Sequence, residues 1–240
     1  MKGVILAGGL GTRLYPLTKV TNKHLLPVYN RPMIHFPIEC LCKAGIRDIL
    51  LVTGGDSAGD FLKLLGDGAE FGARLFYAYQ KGEGGIADAL RLAEGFVGEE
   101  RFCCVLGDNL VERSVRSASE NYQRQTAGAR ILLHRVPDPE RFGVAEVESG
   151  KVVSIVEKPR NPRSDLAVTG LYFYDRQVFE IIRTLKPSNR GELEITDVNN
   201  WYLERGQLSF EILEGWWSDA GTFESLFKAS TLVRDGGANH

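Results

Sequence analysis

Cysteine is scarce in this sequence, with only four among 240 residues. They form one Cys-x-Cys pair, Cys40 and Cys42, and one adjacent pair, Cys103 and Cys104. Neither spacing is that of a zinc site, and no His-x-x-x-His sequence accompanies them. We therefore expect four reduced and buried thiols in a cytoplasmic protein.

Long apolar runs and an excess of charge of one sign are also absent. No stretch approaches the roughly 18 apolar residues of a membrane span, and the apolar run before the first glycines is too short for a signal-peptide core. The formal net charge is −2, which argues against a nucleic-acid binder that relies on bulk positive charge. An anionic ligand must then be held by a few placed cations and backbone N–H groups.

The composition is that of an ordinary globular chain, with 43% hydrophobic and 25% charged residues. In the first half, apolar runs at Lys2–Ala7, Asp48–Thr53 and Phe102–Leu106 alternate with helical patterns at Met33–Ala44 and Ile86–Phe96. Alternation of this kind predicts right-handed βαβ units and parallel strands.

The second half has several short strand patterns joined by turn-like segments, followed by helical patterns. The predicted strands are 130–136, 143–148, 152–157, 167–174 and 207–213, and the predicted helices are 177–185, 195–205 and 223–233. We predict one α/β domain over residues 1–240, with a Rossmann-like, mixed and mostly parallel central sheet flanked by helices. Residues 235–240 are expected to form a frayed tail.

A glycine-rich loop follows the first predicted strand directly, in the segment Leu6–Leu14. Gly8, Gly9 and Gly11 allow the backbone to approach a ligand closely and to present successive N–H groups to phosphate oxygens. Arg13 adds a planar cation suited to phosphate. A tight turn without a ligand is the plainer explanation, but three glycines beside an arginine after a buried strand make it the weaker one.

Three known phosphate-binding loops can be compared with this segment. The P-loop sequence G-x-x-x-x-G-K-[ST] is absent. The dinucleotide fingerprint fails because Leu14 stands where its third glycine is required, and because the nearest acid after the second strand is Asp56, displaced past two glycines. The nucleotidyltransferase pattern G-G-x-G-T-R-L followed by a proline is complete, since Pro16 supplies the proline.

A basic segment, Asn22–Val28, comes shortly after this loop. On its own, Lys23 would be explained as a solvated loop cation. Beside the glycine loop, Lys23 and Arg13 form the obvious pair for neutralising a departing pyrophosphate group.

Together these motifs resemble those of the sugar-nucleotide pyrophosphorylases, and most of all the glucose-1-phosphate thymidylyltransferases among them. Later segments agree with the resemblance and occur in the same order, so that it extends from Lys2 to about Phe227. The matching blocks are residues 8–14, 23–34, 105–109, 138–144, 157–159, 168–174 and 190–199.

The resemblance implies an enzyme that condenses dTTP with α-D-glucose 1-phosphate, giving dTDP-glucose and pyrophosphate, with Mg²⁺ as cofactor. It implies a nucleotide-binding half at about residues 1–110, a sugar-phosphate-binding half at about 111–234, and a homo-oligomer. A phosphomonoester is mostly dianionic at pH 7, so its oxygen can attack without a general base. No His or Cys dyad is therefore needed, and none of His24, His35 and His134 is assigned a role.

The resemblance also implies roles for individual residues. The catalytic group is Arg13, Lys23 and Asp108, and the magnesium ligands are Asp108 and Asp219. The nucleotide-binding group is Gly8, Gly9, Gly11, Thr12, Arg13, Gln80 and Gly85. The sugar-phosphate-binding group is Gly143, Glu157, Lys158, Tyr172 and Arg190.

Several of these residues have ordinary structural explanations as well. Asp108 lies in a Gly-Asp-Asn sequence typical of turns, and Asp219 could cap the last helix. Glu157 and Lys158 could form a surface ion pair at a strand end, and Gln80 could be a polar strand-end residue. Asp108 also follows a predicted central strand, where ligands of open α/β sheets gather.

Some positions depart from the pattern of the thymidylyltransferases. Leu10 stands where serine is commoner, His24 where glutamine is commoner, and residues 81–84 lack the expected proline and aspartate. These departures leave a UTP- or CTP-using relative as an alternative. Two further alternatives are a non-catalytic nucleotide-sugar-binding protein and, less favoured, a dinucleotide-dependent oxidoreductase. Longer relatives continue into helices that help form a regulatory nucleotide site, so we expect neither that feedback control nor their tetramer here.

Overall fold

The structure, a computed structural model, describes all residues from 1 to 240. Its strands are β1 (Lys2–Ala7), β2 (Pro27–Val28), β3 (Arg31–Pro32), β4 (Asp48–Gly54), β5 (Arg74–Gln80), β6 (Phe102–Leu106), β7 (Asn109–Val111), β8 (Ala129–Arg135), β9 (Gly143–Glu148), β10 (Lys151–Glu157), β11 (Leu166–Tyr174), β12 (Leu208–Ile212) and β13 (Trp217–Asp219). Its helices are α1 (His35–Lys43), α2 (Ala58–Leu65), α3 (Ile86–Arg91), α4 (Glu94–Val97), α5 (Arg116–Arg124), α6 (Gln177–Thr184), α7 (Ile195–Glu204) and α8 (Phe223–Gly236).

Nine of the strands form one central sheet, in the order β10-β9-β11-β6-β1-β4-β5, with β8 beside β11 and β12 beside β8. Strands β6, β1, β4 and β5 are parallel, as the βαβ alternation predicts. Strand β11 is antiparallel to β6 and joins these four strands to the strands of the second half of the chain. The predicted Rossmann-like α/β fold with a mixed central sheet flanked by helices is confirmed.

The sheet is covered on both faces, and successive residues of its strands enter opposite cores. In β1, Val4 and Leu6 belong to a core of 28 buried residues beneath α3, α6 and α7. Ile5 and Ala7 belong to a second core of 26 buried residues beneath α1, α2 and α5. Because β1 is buried on both faces, it is a continuous apolar run instead of an alternating one.

Two helical predictions differ from the structure. The segment Ile86–Phe96, predicted as one helix, divides into α3 and α4. At the break, the N–H groups of Leu92 and Ala93 donate to the carbonyls three residues earlier, as in a 3₁₀ turn, instead of four residues earlier. Helix α5 was not predicted, since only Ala118, Ser119 and Tyr122 of its nine residues are buried, and its apolar pattern is therefore weak.

The expectation of a frayed tail at residues 235–240 is wrong. Helix α8 extends to Gly236, and residues after it form backbone hydrogen bonds with the end of β7 and the residue that follows β7. The backbone N–H of Asn239 donates to the Val111 carbonyl at 2.9 Å, and that of His240 donates to the Glu112 carbonyl at 2.7 Å. The side chain of Asn239 is 1% exposed and donates to the Phe36 carbonyl. These bonds hold the tail against the body of the protein.

All four cysteines are free and buried, as the sequence predicts. Burial raises the pKa of Cys40 to about 12, so its thiol is protonated and unreactive at neutral pH. No helix combines the length and the apolar character that crossing a membrane requires.

Candidate active site

The carboxyl ends of the parallel strands open into one large cleft. The glycine loop follows β1, Gln80 ends β5, and Asp108 lies just beyond β6. The cleft has a volume of about 630 Å³. Every residue of the predicted site lines it, namely Gly8, Gly9, Gly11, Thr12, Arg13, Lys23, Gln80, Gly85, Asp108, Gly143, Glu157, Lys158, Tyr172, Arg190 and Asp219.

The glycine loop turns sharply at its end into a short 3₁₀ helix, Thr12–Leu14. Gly11 has a φ of 62°, and a Cβ atom there would lie 3.1 Å from both Lys23 and Thr18. Its carbonyl accepts hydrogen bonds from the Leu14 N–H at 2.9 Å and from the Thr18 hydroxyl at 2.8 Å. A side chain at position 11 would therefore be both strained and crowded.

The N–H groups of this loop can donate hydrogen bonds to an anionic partner. The backbone N–H of Leu10 donates to Oε1 of Glu83 at 3.0 Å, a contact that crosses from the segment after β5. A carboxylate oxygen therefore occupies the kind of position that the loop would offer to a phosphate oxygen.

Two aspartates come together through a short antiparallel ladder between β7 and β13. In this ladder Asn109 is paired with Asp219, so that Asp219 lies beside Asp108. The Ala220 N–H also donates to the Asp108 carbonyl at 2.8 Å. Nζ of Lys23 lies 2.5 Å from Oδ2 of Asp108 and forms an ion pair in the buried floor of the cleft.

The two carboxyl groups have opposite electrostatic environments. Burial alone would raise the pKa of Asp108, but the Lys23 ammonium and the hydrogen bonds that the carboxylate accepts outweigh it and hold this pKa well below its usual range. Burial, followed by the negative charge of Asp108, raises the pKa of Asp219 to about 6, although Arg141 lies 3.6 Å away and opposes the rise. Asp219 thus lacks a cation as close as Lys23 is to Asp108.

His24 lies in the wall of the cleft, but its environment keeps it neutral. It is 1% exposed, and its Nδ1 lies 2.7 Å from Oδ1 of Asn22. Burial and the adjacent Lys23 charge lower the pKa of His24 to about 3. A ring with this pKa does not serve as a proton acceptor at neutral pH, in agreement with the absence of a predicted role.

The opposite side of the cleft is built on β9, β10 and β11. Gly143 faces Glu157 across the β9–β10 ladder, and Oε2 of Glu157 accepts a hydrogen bond from the Thr196 hydroxyl at 2.6 Å. Lys158 and Arg190 each place a nitrogen 3.7 Å from Oε1 of Glu157. These groups form a polar cluster in the same cleft as the glycine loop.

Tyr172 and Arg190 complete this side. Tyr172 is 3% exposed on β11, where its ring stacks on Tyr174 at 5.9 Å between centroids. Arg190 is bound most closely by Glu194, at 2.7 Å. Both hydrogen bonds of its guanidinium go to Glu194, and Glu192 and Glu157 are more distant ion-pair partners, so Arg190 has less freedom for a ligand than Lys158.

The sequence matches the protein-family model described as "Nucleotidyl transferase" over residues 2–236. The chain belongs to the nucleotidyl transferase family.

Curated members of this nucleotidyl transferase family resemble the chain over nearly its whole length. The glucose-1-phosphate thymidylyltransferase of Neisseria meningitidis serogroup A / serotype 4A is 50% identical over 238 residues, covering 98% of this chain and 83% of the relative. That of Mycolicibacterium smegmatis is 47% identical over 237 residues, covering 98% of this chain and 82% of the relative.

Solved structures agree with these relatives. A Bacillus anthracis protein assigned as a glucose-1-phosphate thymidylyltransferase, crystallised with sucrose, has a TM-score of 0.94 and 53% identity, covering 98% of this chain and 96% of that one. A UDP-glucose pyrophosphorylase complexed with UDP-glucose has a TM-score of 0.86 and 26% identity, covering 97% and 98%. The family fold is thus shared across members named for different nucleotides.

The donor set of this nucleotidyl transferase fits a hard divalent cation. Asp108 and Asp219 supply carboxylate oxygens, and no group of three or more His, Cys, Asp or Glu side chains is arranged so that it could hold a metal ion. Mg²⁺ suits such a site, since it is bound through one or two carboxylates together with substrate phosphates. Burial, and after it the negative charge of Asp108, raises the pKa of Asp219, and a cation bound by the two carboxylates would oppose this rise.

Three residues of the cleft that contact the predicted groups were not assigned from the sequence. Arg141 approaches Asp219, and Thr196 donates to Glu157. Asn109 donates to Oδ1 of Asp108 at 3.0 Å, while its own oxygen accepts from the Trp217 indole at 2.7 Å and from the Gly170 N–H at 2.9 Å. All three lie within the motif blocks of the resemblance, which is the only signal by which the sequence could have indicated them.

Proposed function

We propose that the protein transfers a thymidylyl group from dTTP to α-D-glucose 1-phosphate, giving dTDP-glucose and pyrophosphate. The observation that carries this proposal is the convergence, in one cleft, of the glycine loop, the Lys23–Asp108 pair and Asp219, opposite the polar cluster around Glu157. Family membership and the names of the relatives support the same reaction.

On the nucleotide side, residues of about 1–110 hold the triphosphate. The backbone N–H groups from Gly8 to Thr12 would bind phosphate oxygens, as the Leu10 N–H already binds a carboxylate. Arg13 and Lys23 would neutralise the charge of the departing pyrophosphate. Gln80, whose Oε1 lies close to Gly8, and Gly85 would contact the base.

Asp108 and Asp219 would hold Mg²⁺. When bound, this ion supplies Lewis-acid polarisation of phosphoryl oxygens and charge neutralisation between two anions. Asn109 would keep the Asp108 carboxylate in one orientation, since its amide donates to one oxygen and Lys23 donates to the other.

On the sugar side, residues of about 111–234 hold the acceptor. Glu157 would accept hydrogen bonds from sugar hydroxyls, with Gly143 leaving room for the ring and Tyr172 lining the pocket. Lys158 would contact the 1-phosphate, and Arg190 would add a second cation there. A phosphate oxygen then bonds to the α-phosphorus, the bond from that phosphorus to the bridging oxygen breaks, and its electron pair leaves with pyrophosphate.

Nucleotide choice is the direct test of this proposal. With Mg²⁺ and glucose 1-phosphate, we expect pyrophosphate release to be fastest with dTTP when dTTP, UTP, CTP, ATP and GTP are assayed in parallel. Faster release with UTP or CTP would contradict the thymidylyl assignment while leaving nucleotidyl transfer in place. No release with any of the five, together with tight binding of a nucleotide sugar, would contradict catalysis itself.

Glu157→Gln is expected to impair use of the sugar phosphate. Loss of the charged acceptor weakens hydrogen bonds from sugar hydroxyls, so the KM for glucose 1-phosphate should rise by about 10-fold. The KM for dTTP should stay within about twofold, because the residue lies on the other side of the cleft. Steady-state kinetics with each substrate varied in turn measures both values.

The matched control is Glu148→Gln, which changes an exposed glutamate at the other end of the β9–β10 hairpin. It should leave both KM values unaltered. An increase in the dTTP KM alone in Glu157→Gln would contradict the placement of the sugar at Glu157.

A further inference from the structure

The side chain of Gln80 is held at both hydrogens of its amide nitrogen. Gln80 ends β5 and is only 5% exposed. Its Nε2 donates to Oδ2 of Asp88 at 3.0 Å and lies 3.5 Å from the carbonyl oxygen of Gly85. Asp88 lies in the first turn of α3 and is not one of the residues that line the cleft. It therefore acts on the cleft only through Gln80.

The chemistry of Asp88 determines which end of the amide faces it. An ionised carboxylate can only accept hydrogen bonds, so the nitrogen of Gln80 must face Asp88 and the oxygen must face away. The other oxygen of Asp88 accepts from Nη2 of Arg91 at 2.7 Å. Burial acts to raise the pKa of Asp88, but the hydrogen bonds from Gln80 and Arg91 outweigh it, and the pKa lies below its ordinary value.

Gly84 makes room for this arrangement. A Cβ atom at position 84 would lie 2.6 Å from both Cγ and Oδ2 of Asp88. Any side chain at this position would displace the carboxylate from Gln80. The glycine and the aspartate therefore form one unit that sets the orientation of the amide.

The oxygen of Gln80 is left to face the cleft beside the glycine loop. A Cβ atom built on Gly8 would lie 2.8 Å from Oε1 of Gln80, which shows how close this oxygen is to the loop. An acceptor in this position is satisfied by a base that presents a ring N–H. Thymine and uracil present one at N3, whereas cytosine presents an unprotonated N3, which would leave two acceptors facing each other.

We propose that Asp88 is a positioning residue that fixes Gln80 as a hydrogen-bond acceptor, so that the site selects pyrimidine nucleotides with an N3–H and rejects cytosine nucleotides. This inference rests on the proposed function for the placement of the base at Gln80. It deepens that function by assigning the discrimination to a residue that does not touch the substrate.

Asp88→Asn tests the proposal by reversing the direction of the hydrogen bond. Arg91 can only donate, so the asparagine oxygen remains with Arg91 and the asparagine nitrogen faces Gln80. Turning its amide then gives Gln80 a hydrogen bond from position 88 in exchange for the long 3.5 Å contact with the Gly85 carbonyl, and it presents the Gln80 nitrogen to the base, which matches cytosine. We expect the wild-type protein to bind dTTP on the order of 100-fold more tightly than dCTP, and the variant to lose at least about 10-fold of this preference.

The measurement is equilibrium binding of dTTP, dUTP and dCTP by titration calorimetry, alongside pyrophosphate release with the same nucleotides. The ratio of dTTP to dUTP affinity should be unaltered in Asp88→Asn, because both bases carry the N3–H. Asp60→Asn, which changes an exposed aspartate in the first turn of α2, is the matched control and should alter no ratio.

Gly84→Ala provides a second variant that leaves Asp88 in the chain. Displacement of the carboxylate should again reduce the preference for dTTP over dCTP, and thermal unfolding shows whether each variant is folded. Equal wild-type binding of dTTP and dCTP, or a folded Asp88→Asn variant with the wild-type ratio, would overturn the inference. Absence of pyrophosphate release by the wild-type protein would instead overturn the proposed function, since the binding ratios decide the inference independently.

Discussion

Asp108→Asn is expected to reduce turnover by about 10³-fold, because it removes charge from the point where Lys23 and the proposed Mg²⁺ site meet. The asparagine has nearly the same size, but it has a single acceptor oxygen, so it can accept from Lys23 or from Asn109 and not from both. It also loses the negative charge that holds a cation and offsets Lys23. The fall should appear in kcat at saturating dTTP and glucose 1-phosphate, measured over a range of Mg²⁺ concentrations.

Asp165→Asn is a suitable control, since this exposed aspartate pairs with Arg135 away from the cleft. It should have the wild-type rate and the wild-type response to Mg²⁺. The thermal unfolding temperature of Asp108→Asn should show that the variant is folded. A folded variant with a wild-type rate would remove Asp108 from the proposed metal site.

Arg13→Ala is expected to give the second-largest loss. The guanidinium of Arg13 lies close to the Gly221 backbone. A Cβ atom built on Gly221 would lie 2.9 Å from Nη2 of Arg13 and 3.5 Å from Oδ2 of Asp108. A cation in this position can stabilise charge that develops on the leaving pyrophosphate, and its removal should lower kcat by about 10²-fold. The KM for glucose 1-phosphate should stay within about twofold, because Arg13 belongs to the nucleotide side.

Arg13→Lys separates charge from geometry. Lysine keeps the positive charge but lacks the planar fork, so this variant should recover only part of the lost rate. Arg124→Ala, at the exposed end of α5, controls for the general loss of a surface arginine. An unaltered kcat in Arg13→Ala, with an altered KM for the sugar phosphate, would contradict the role given to Arg13.

The main strands could be predicted because they are buried on both faces and therefore apolar throughout. The runs at β1, β4 and β6 are of this kind, and each lies within a residue of its predicted bounds. The glycine loop could also be predicted from the sequence, since its conformation depends on residues that are adjacent in the chain. In both cases the physical cause is local, and the sequence displays it directly.

Features that depend on distant pairing could not be predicted in the same way. Strands β7 and β13 have three residues each, too few to show a period, and they exist only because they pair with each other. The docking of Asn239 and the approach of Arg141 to Asp219 have the same origin. Such contacts join segments that are far apart in the sequence, so no local sequence pattern indicates them.

The pairing of β7 with β13 has a consequence for how the protein becomes active as it is made. Synthesis proceeds from the N-terminus, so the glycine loop, Lys23 and Asp108 all emerge well before Asp219. A nascent chain that has reached β12 can fold much of the central sheet, yet it lacks the second carboxylate and the strand that carries it. The proposed chemistry would therefore begin only after β13 has been made and has added to β7.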